Sequence, residues 1–170
     1  MSPHKPERAA SGRQASVSGF AHEHIVVGLL MKKYSNVSLV NLPLSSFDIV
    51  LVRELEGKED FVRVQVKTAS KSVNFLGGSR GGVDREYNAA TNISKTYRQS
   101  QETSDIVVGL HQNQDGSFDM YFVPTVLIEK WNQNSISLSK IASLKNNFNF
   151  LDHCKDESWV LSEAETSGLI

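Results

Sequence analysis

Apolar and polar residues alternate without a break through residues 62–67, inside the stretch 61–70, FVRVQVKTAS. Side chains change face at every residue of a strand, so Val62, Val64 and Val66 share one side and Arg63, Gln65 and Lys67 the other. The valine side suits a core. The other side sets an amide and an ammonium about 6.6 Å apart. Upstream, residues 47–54 read FDIVLVRE, and the six residues between the two segments, LEGKED, contain Gly57. Glycine tolerates the positive φ of a tight turn, so the two segments predict a hairpin. With Gly57-Lys58 as a two-residue loop, Asp48 stands opposite Lys67 and Val50 opposite Gln65. With Glu56-Gly57 as the loop, Asp48 stands opposite Gln65. Either even-length loop puts Asp48, Gln65 and Lys67 on one face; an odd-length loop throws Asp48 to the other.

The remaining pattern predicts an α/β (α+β) chain. Residues 18–34 read as a helix, with Ser18 as N-cap and Phe20, Ile25, Val26, Val27, Leu30 and Met31 forming a broad apolar face. Residues 36–42 read as a first strand, stopped by Pro43. Residues 89–101 read as a short helix carrying Lys95, Tyr97 and Arg98. DIVVGLH, residues 105–111, is the continuous apolar run of a buried central strand. A turn at Gln114-Asp115-Gly116 leads to a partner strand over 118–123, and Thr125 caps a helix through Trp131. Beyond it the chain is rich in Asn and Ser. Leu138, Ile141 and Leu144 mark a short helix, Phe148 and Phe150 pack back on the domain, and residues 159–161 read as a last strand. Residues 1–17 are polar, with Pro3, Pro6 and Gly12, and read as a disordered arm whose Lys5, Arg8 and Arg13 serve either phosphate contact or solubility. The expected division is an arm over 1–17, a core over 18–131 and an extension over 132–170 packed on that core, with a role in dimerisation or DNA contact open to it.

Composition narrows the class without choosing a function. The 170 residues suffice for one domain with a real core, and 39% hydrophobic with 22% charged residues is ordinary for a globular protein. A net charge of −1 neither requires nor excludes nucleic acid, which would need a local basic patch. One cysteine, Cys154, forbids an internal disulfide and fits a reducing compartment. With no apolar run of membrane length and no leader-like start, the expected location is the cytoplasm.

Several stretches carry candidate chemistry. Asp48 and the side-chain oxygen of Gln65 suit Mg²⁺, a hard cation that takes oxygen ligands, and Lys67 places a point charge beside them. The bland alternative is a solvated strand face. Residues 71–87 are a glycine-rich loop centred on FLGGSRGG. It matches G-x-S-x-G at Gly77–Gly81 without the strand-to-helix context of a nucleophile elbow, and it lacks the G-K-[ST] of a phosphate loop. The favoured reading is a loop beside the active edge, with Lys71, Arg80 and Arg85 set to clamp a DNA backbone. His22 and His24 read as surface histidines. The adjacent His153 and Cys154 pair as a catalytic couple on paper only, since neighbours in sequence need not face each other.

Asp48, a hairpin and then Gln65-Val66-Lys67 resemble the PD-(D/E)XK nuclease signature, with Gln in the (D/E) position. The string Val64-Gln65-Val66-Lys67-Thr68 is similar to a subgroup that includes group I intron homing endonucleases and small restriction-like endonucleases. That subgroup has a glutamate on its first helix some residues after a glycine, matched here by Gly19-Phe20-Ala21-His22-Glu23. The resemblance spans roughly residues 19–125. It implies a restriction-endonuclease-like αβββαβ core, with a central mixed sheet flanked by helices. It also implies hydrolysis of phosphodiester bonds in double-stranded DNA, by a restriction- or homing-type enzyme dependent on Mg²⁺, with Mn²⁺ able to substitute. Glu23, Asp48, Gln65 and Lys67 would be catalytic. Asp48, Gln65, Glu23 and the Val66 carbonyl would hold the metal. Lys71, Arg80, Arg85, Lys95 and Arg98 would meet DNA. Cutting both strands implies a homodimer or higher homo-oligomer. The chain departs from the pattern twice. Ser46 and Phe47 precede Asp48 where proline is common, and Gln65 replaces an acid, which leaves less negative charge for a metal. The competing expectation is a catalytically inactive nuclease fold that binds DNA or another partner. Without the resemblance, Glu23 reads as a carboxylate favoured by the dipole at the start of a helix.

Overall fold

A computed structural model describes residues 5–42, 45–77 and 96–170, with the backbone alone over 5–13. The chain is an α+β protein built on a mixed five-stranded sheet flanked by helices. Helix α1 (Lys5–Met31) leads into β1 (Val37–Leu39), β2 (Ile49–Leu55) and β3 (Lys58–Thr68). Short strands β4 (Ser72–Asn74), β5 (Leu76–Gly77) and β6 (Tyr97–Arg98) follow, then β7 (Ile106–Gln112) and β8 (Phe118–Pro124). The chain ends with α2 (Thr125–Trp131), β9 (Ser135–Ser137), a 3₁₀ turn at Ala142–Leu144, α3 (Phe148–Asp152) and α4 (Glu157–Thr166). The main sheet runs β1-β2-β3-β7-β8, with β3 and β7 parallel and every other neighbour antiparallel.

The β2–β3 hairpin is closed by Glu56 and Gly57, at φ 53° and 75°. Two successive positive φ values give the turn whose twist matches that of the flanking strands. Leu55 pairs with Lys58 and Ile49 with Val64, so the loop has even length and Asp48 falls beside Gln65. Alternation then acts as expected: Val62, Val64 and Val66 are buried, while Arg63, Gln65 and Lys67 are half-buried. Ile106 to Leu110 are all buried, as a strand between two neighbours requires. A single core joins Val26 and Leu30 of α1, the inner residues of β2, β3, β7 and β8, and Phe150, Leu151, Val160 and Ala164 of the last two helices.

The observed elements differ from the expected ones in five places, the first being the start of the glycine-rich stretch, where residues 72–74 and 76–77 are the strands β4 and β5 rather than loop. Helix α1 begins at Lys5 rather than Ser18, through the stretch read as a disordered arm. Pro6 sits in the first turn, where its missing N–H costs nothing, and no proline interrupts the chain again before Pro43. Residues 97–98 are a strand paired with β5 rather than part of a helix, because Tyr97 packs its ring over Gly77, where an added Cβ would meet that ring at 2.6 Å. Thr125 is not a cap: it is buried, and its hydroxyl donates to the Ser104 carbonyl at 2.9 Å. Residues 159–161 lie in α4, not a strand; Asp156 caps that helix by accepting from the Trp159 N–H at 3.0 Å. Arg80, Arg85, Lys95 and the G-x-S-x-G serine, Ser79, lie outside the described residues. Among the described residues no helix is long and apolar enough to cross a membrane.

Candidate active site

Asp48 stands immediately before β2, its backbone tied on both sides: its N–H donates to the Val64 carbonyl at 2.9 Å, and its carbonyl accepts from Val40 at 2.8 Å. The carboxylate turns toward β3. Oδ2 accepts the Val66 N–H at 2.8 Å and a short hydrogen bond from Gln65 Nε2. Gln65 Nε2 also reaches the Val66 carbonyl at 3.1 Å. Acid, carboxamide and main-chain carbonyl therefore converge on one spot at the edge of the hairpin. Ser46, which stands near the position where the resembling family favours proline, donates to the Thr103 carbonyl at 2.6 Å. A hydrogen bond to the loop ahead of β7 thus restrains the approach to Asp48.

Charge at this spot is held in a costly state. Burial is the largest influence on Asp48 and pushes its carboxyl above the usual range, against the Val66 N–H, Lys67 and Gln65, which pull it down. Burial also lowers the pKa of Lys67, against the charge of Asp48. The Lys67 ammonium donates to the Leu76 carbonyl of β5 at 2.9 Å, which fixes it beside the acid rather than in bulk water. Glu23 joins the group from α1. Its carboxyl is pushed from 4.5 to about 7 by burial first and the charge of Asp48 second, with His24 opposing. Because α1 begins at Lys5, Glu23 lies far beyond the first turn, so the helix dipole does not explain it.

The donors suit a hard divalent cation. Two carboxylates and a carbonyl supply oxygen, the Gln65 carboxamide can add its own once turned over, and the rise that burial and the charge of Asp48 impose on Glu23 is the kind a cation offsets. Among the described residues no three His, Cys, Asp or Glu side chains gather to hold a metal, and Gln65 beside Asp48 is neutral.

The structure sets Asp48, Gln65, Val66 and Lys67 side by side at the hairpin edge and places Glu23 within the field of Asp48. Lys71 is exposed and Arg98 half-exposed on β6, outside this hydrogen-bonded group. Near the site, His22 reads from sequence only as a surface histidine, and Gln99 is not singled out at all. His22 Nδ1 meets Thr68 Oγ1 at 2.7 Å and pins α1 to the strand one residue past Lys67. Gln99, 1% exposed, reaches Gln65. The contacts that tie them to the site carry no local signal, since Thr68 lies 46 residues from His22 and Gln65 lies 34 from Gln99. Cys154 and His153 form no couple: Cys154 is buried, its thiol pushed up to about 12 by that burial, and the His153 ring stacks on Trp159 at 4.3 Å.

Comparison with solved structures finds a bacterial homing endonuclease, I-Ssp6803I, at 17% identity and a TM-score of 0.46, covering 72% of this chain and 76% of that one. No family model and no curated protein matches the chain.

Proposed function

We propose that the protein is a Mg²⁺-dependent endonuclease that hydrolyses phosphodiester bonds in double-stranded DNA. What carries the reading is the seating of Asp48 against the Gln65-Val66-Lys67 backbone, with Lys67 and Glu23 inside its field. Asp48, Glu23, the Val66 carbonyl and Gln65 Oε1 would hold Mg²⁺, or Mn²⁺ in its place. The cation, when bound, neutralises charge that builds on the phosphate and on the leaving 3′ oxygen. Lys67, whose burial enlarges its neutral fraction, orients a water for attack at phosphorus and accepts its proton. Asp48 and Glu23 act ionised, and Glu23 becomes so only as pH passes about 7. Lys71 and Arg98, with Arg80, Arg85 and Lys95, would meet backbone phosphates. Two cuts on opposite strands call for a symmetric homodimer or larger assembly.

Supercoiled plasmid incubated with the protein tests this. Nicked and linear DNA should appear with Mg²⁺ and not with a chelator, and Asp48→Ala and Lys67→Ala should each remove the activity. Cleavage indifferent to both substitutions would refute these roles.

A second reading keeps DNA binding and drops the chemistry. It is favoured by one observation: Gln65 stands where the resembling nucleases have an acid, and turns its N–H toward Asp48. Tight DNA binding without cleavage in Mg²⁺ or Mn²⁺ selects it.

A further inference from the structure

Behind Gln65 lies a second carboxamide that solvent does not reach. Gln99 Oε1 accepts from the Thr103 hydroxyl at 2.6 Å and from the Ser104 hydroxyl at 3.0 Å. The Gln99 main chain is anchored as well, donating to the Phe75 carbonyl at 2.8 Å. A carboxamide whose oxygen is held by two hydroxyls presents its nitrogen on the opposite side. Gln99 Nε2 accordingly faces Gln65 Oε1, at 3.5 Å. The orientation passes along the chain of contacts: with its oxygen turned to Gln99, Gln65 gives its own Nε2 to Asp48 and to the Val66 carbonyl.

We infer that Gln99 is a positioning residue that decides which end of the Gln65 carboxamide faces Asp48. For the nature of what binds there, the inference rests on the function proposed above; for the orientation it does not. Gln65 can offer its oxygen to a cation only by turning over. That movement sets the NH₂ of Gln65 against the NH₂ of Gln99, two donors with no acceptor between them. Turning Gln99 as well would take the acceptor from the Ser104 hydroxyl inside a buried site and leave the Thr103 hydroxyl only the Ser100 carbonyl, at 3.0 Å. Gln99 therefore opposes the ligating orientation and lowers cation affinity from outside the ligand set. A residue that merely supported the site would have the reverse effect, since its loss would weaken binding.

The full-length wild type, Gln99→Met and Gln99→Glu are compared, first metal-free by NMR of the Gln65 side-chain amide and then by calorimetric titration with Mn²⁺. In Gln99→Met the Gln65 amide protons should exchange with water about tenfold faster, the effect of loosening one hydrogen bond. Mn²⁺ should bind that variant about tenfold more tightly. Gln99→Glu keeps acceptors for both hydroxyls and offers one to the turned Gln65 amide, so it should bind Mn²⁺ more tightly still. Thr103→Val, which removes one hydroxyl from Gln99, carries the same expectation at smaller size and replaces Gln99→Met if that variant fails to fold. Unchanged amide exchange, or weaker Mn²⁺ binding in the neutral variants, overturns the inference. So does tighter binding in Gln99→Glu alone, which is added charge and nothing more. If no protein, wild type included, takes up Mn²⁺, the nuclease reading falls while amide exchange still decides the orientation.

Discussion

The β2–β3 hairpin carries a carboxylate near each end, and the two are treated in opposite ways. At the turn end, Asp60 lies between two cations: Arg53 Nε at 3.0 Å and the Lys155 ammonium in a short contact. Burial pushes its carboxyl up, but the hydrogen bonds from Lys155 and Arg53 outweigh burial, and the net shift is downward. At the other end, Asp48 has one N–H, one carboxamide and a lysine whose ammonium donates elsewhere, and burial wins. One hairpin thus holds a finished ion pair and an unfinished one. Arg53 also ties the C-terminal segment to the sheet through the Leu151 and Asp152 carbonyls at 3.2 and 2.6 Å, which makes the Asp60 end structural. Charge left short of partners on a well-anchored frame is what a binding or catalytic group needs, because a ligand can still change its energy.

Exchanging the consequences of the two ends is the largest test of that contrast. Asp48→Asn should lower plasmid cleavage about a thousandfold, with the fold retained by circular dichroism. Asp60→Asn should leave the cleavage rate near wild type and lower stability in urea by about 2 kcal/mol, the worth of hydrogen bonds to charged groups. Equal effects on both observables would erase the distinction. Lys67→Met comes next. It removes a proton acceptor and should slow cleavage about a hundredfold, measured at saturating DNA so that binding does not enter.

Glu23 offers a test that reads through pH. Unfolded, it ionises near 4.5; folded, near 7. The folded chain keeps the proton longer, so the stabilisation from this group is complete below about 4.5 and is lost as pH rises through about 7. Glu23→Gln should therefore raise the melting temperature of the metal-free protein at about pH 8 and hardly change it at about pH 4. Cleavage by the wild type should climb with pH through the same region, because a cation needs the ionised carboxylate. The smallest expected effect is at the turn. Gly57 sits at φ 75°, so Gly57→Ala should cost about 1 kcal/mol in denaturant and leave cleavage almost untouched.

The elements legible in the sequence are those whose pattern is periodic and local. Val62, Val64 and Val66 declare a one-sided strand, and the run at Ile106–Leu110 declares a two-sided one. The sequence leaves the hairpin open between two even-length loops and an odd-length one. The structure takes Glu56-Gly57, which puts a glutamate at positive φ, a position that residue preferences do not favour. Trp159, Val160 and Leu161 are three apolar residues in a row, too short a run for its period to separate strand from helix; the signal was Asp156, a cap three residues ahead of Trp159. For the site, Asp48, Gln65 and Lys67 lie within twenty residues of one another and follow from hairpin geometry. Glu23 needed the family resemblance, because nothing in a helix names the strand it will meet. Gln99 was invisible for a related reason: Thr103 and Ser104 stand four and five residues beyond it, but Gln65, the partner that ties it to the site, becomes its neighbour only when β3 and the segment before β7 come together.

The central claim is that the unfinished end of the hairpin is completed by a divalent cation. Crystals soaked in Mn²⁺ and measured at the manganese edge test it most directly. An anomalous peak about 2.1 Å from an Asp48 carboxylate oxygen and from the Val66 carbonyl, with the Gln65 amide turned over, is the predicted result. No peak at that position under saturating Mn²⁺, or a peak only at Asp60 or Asp119, would contradict it.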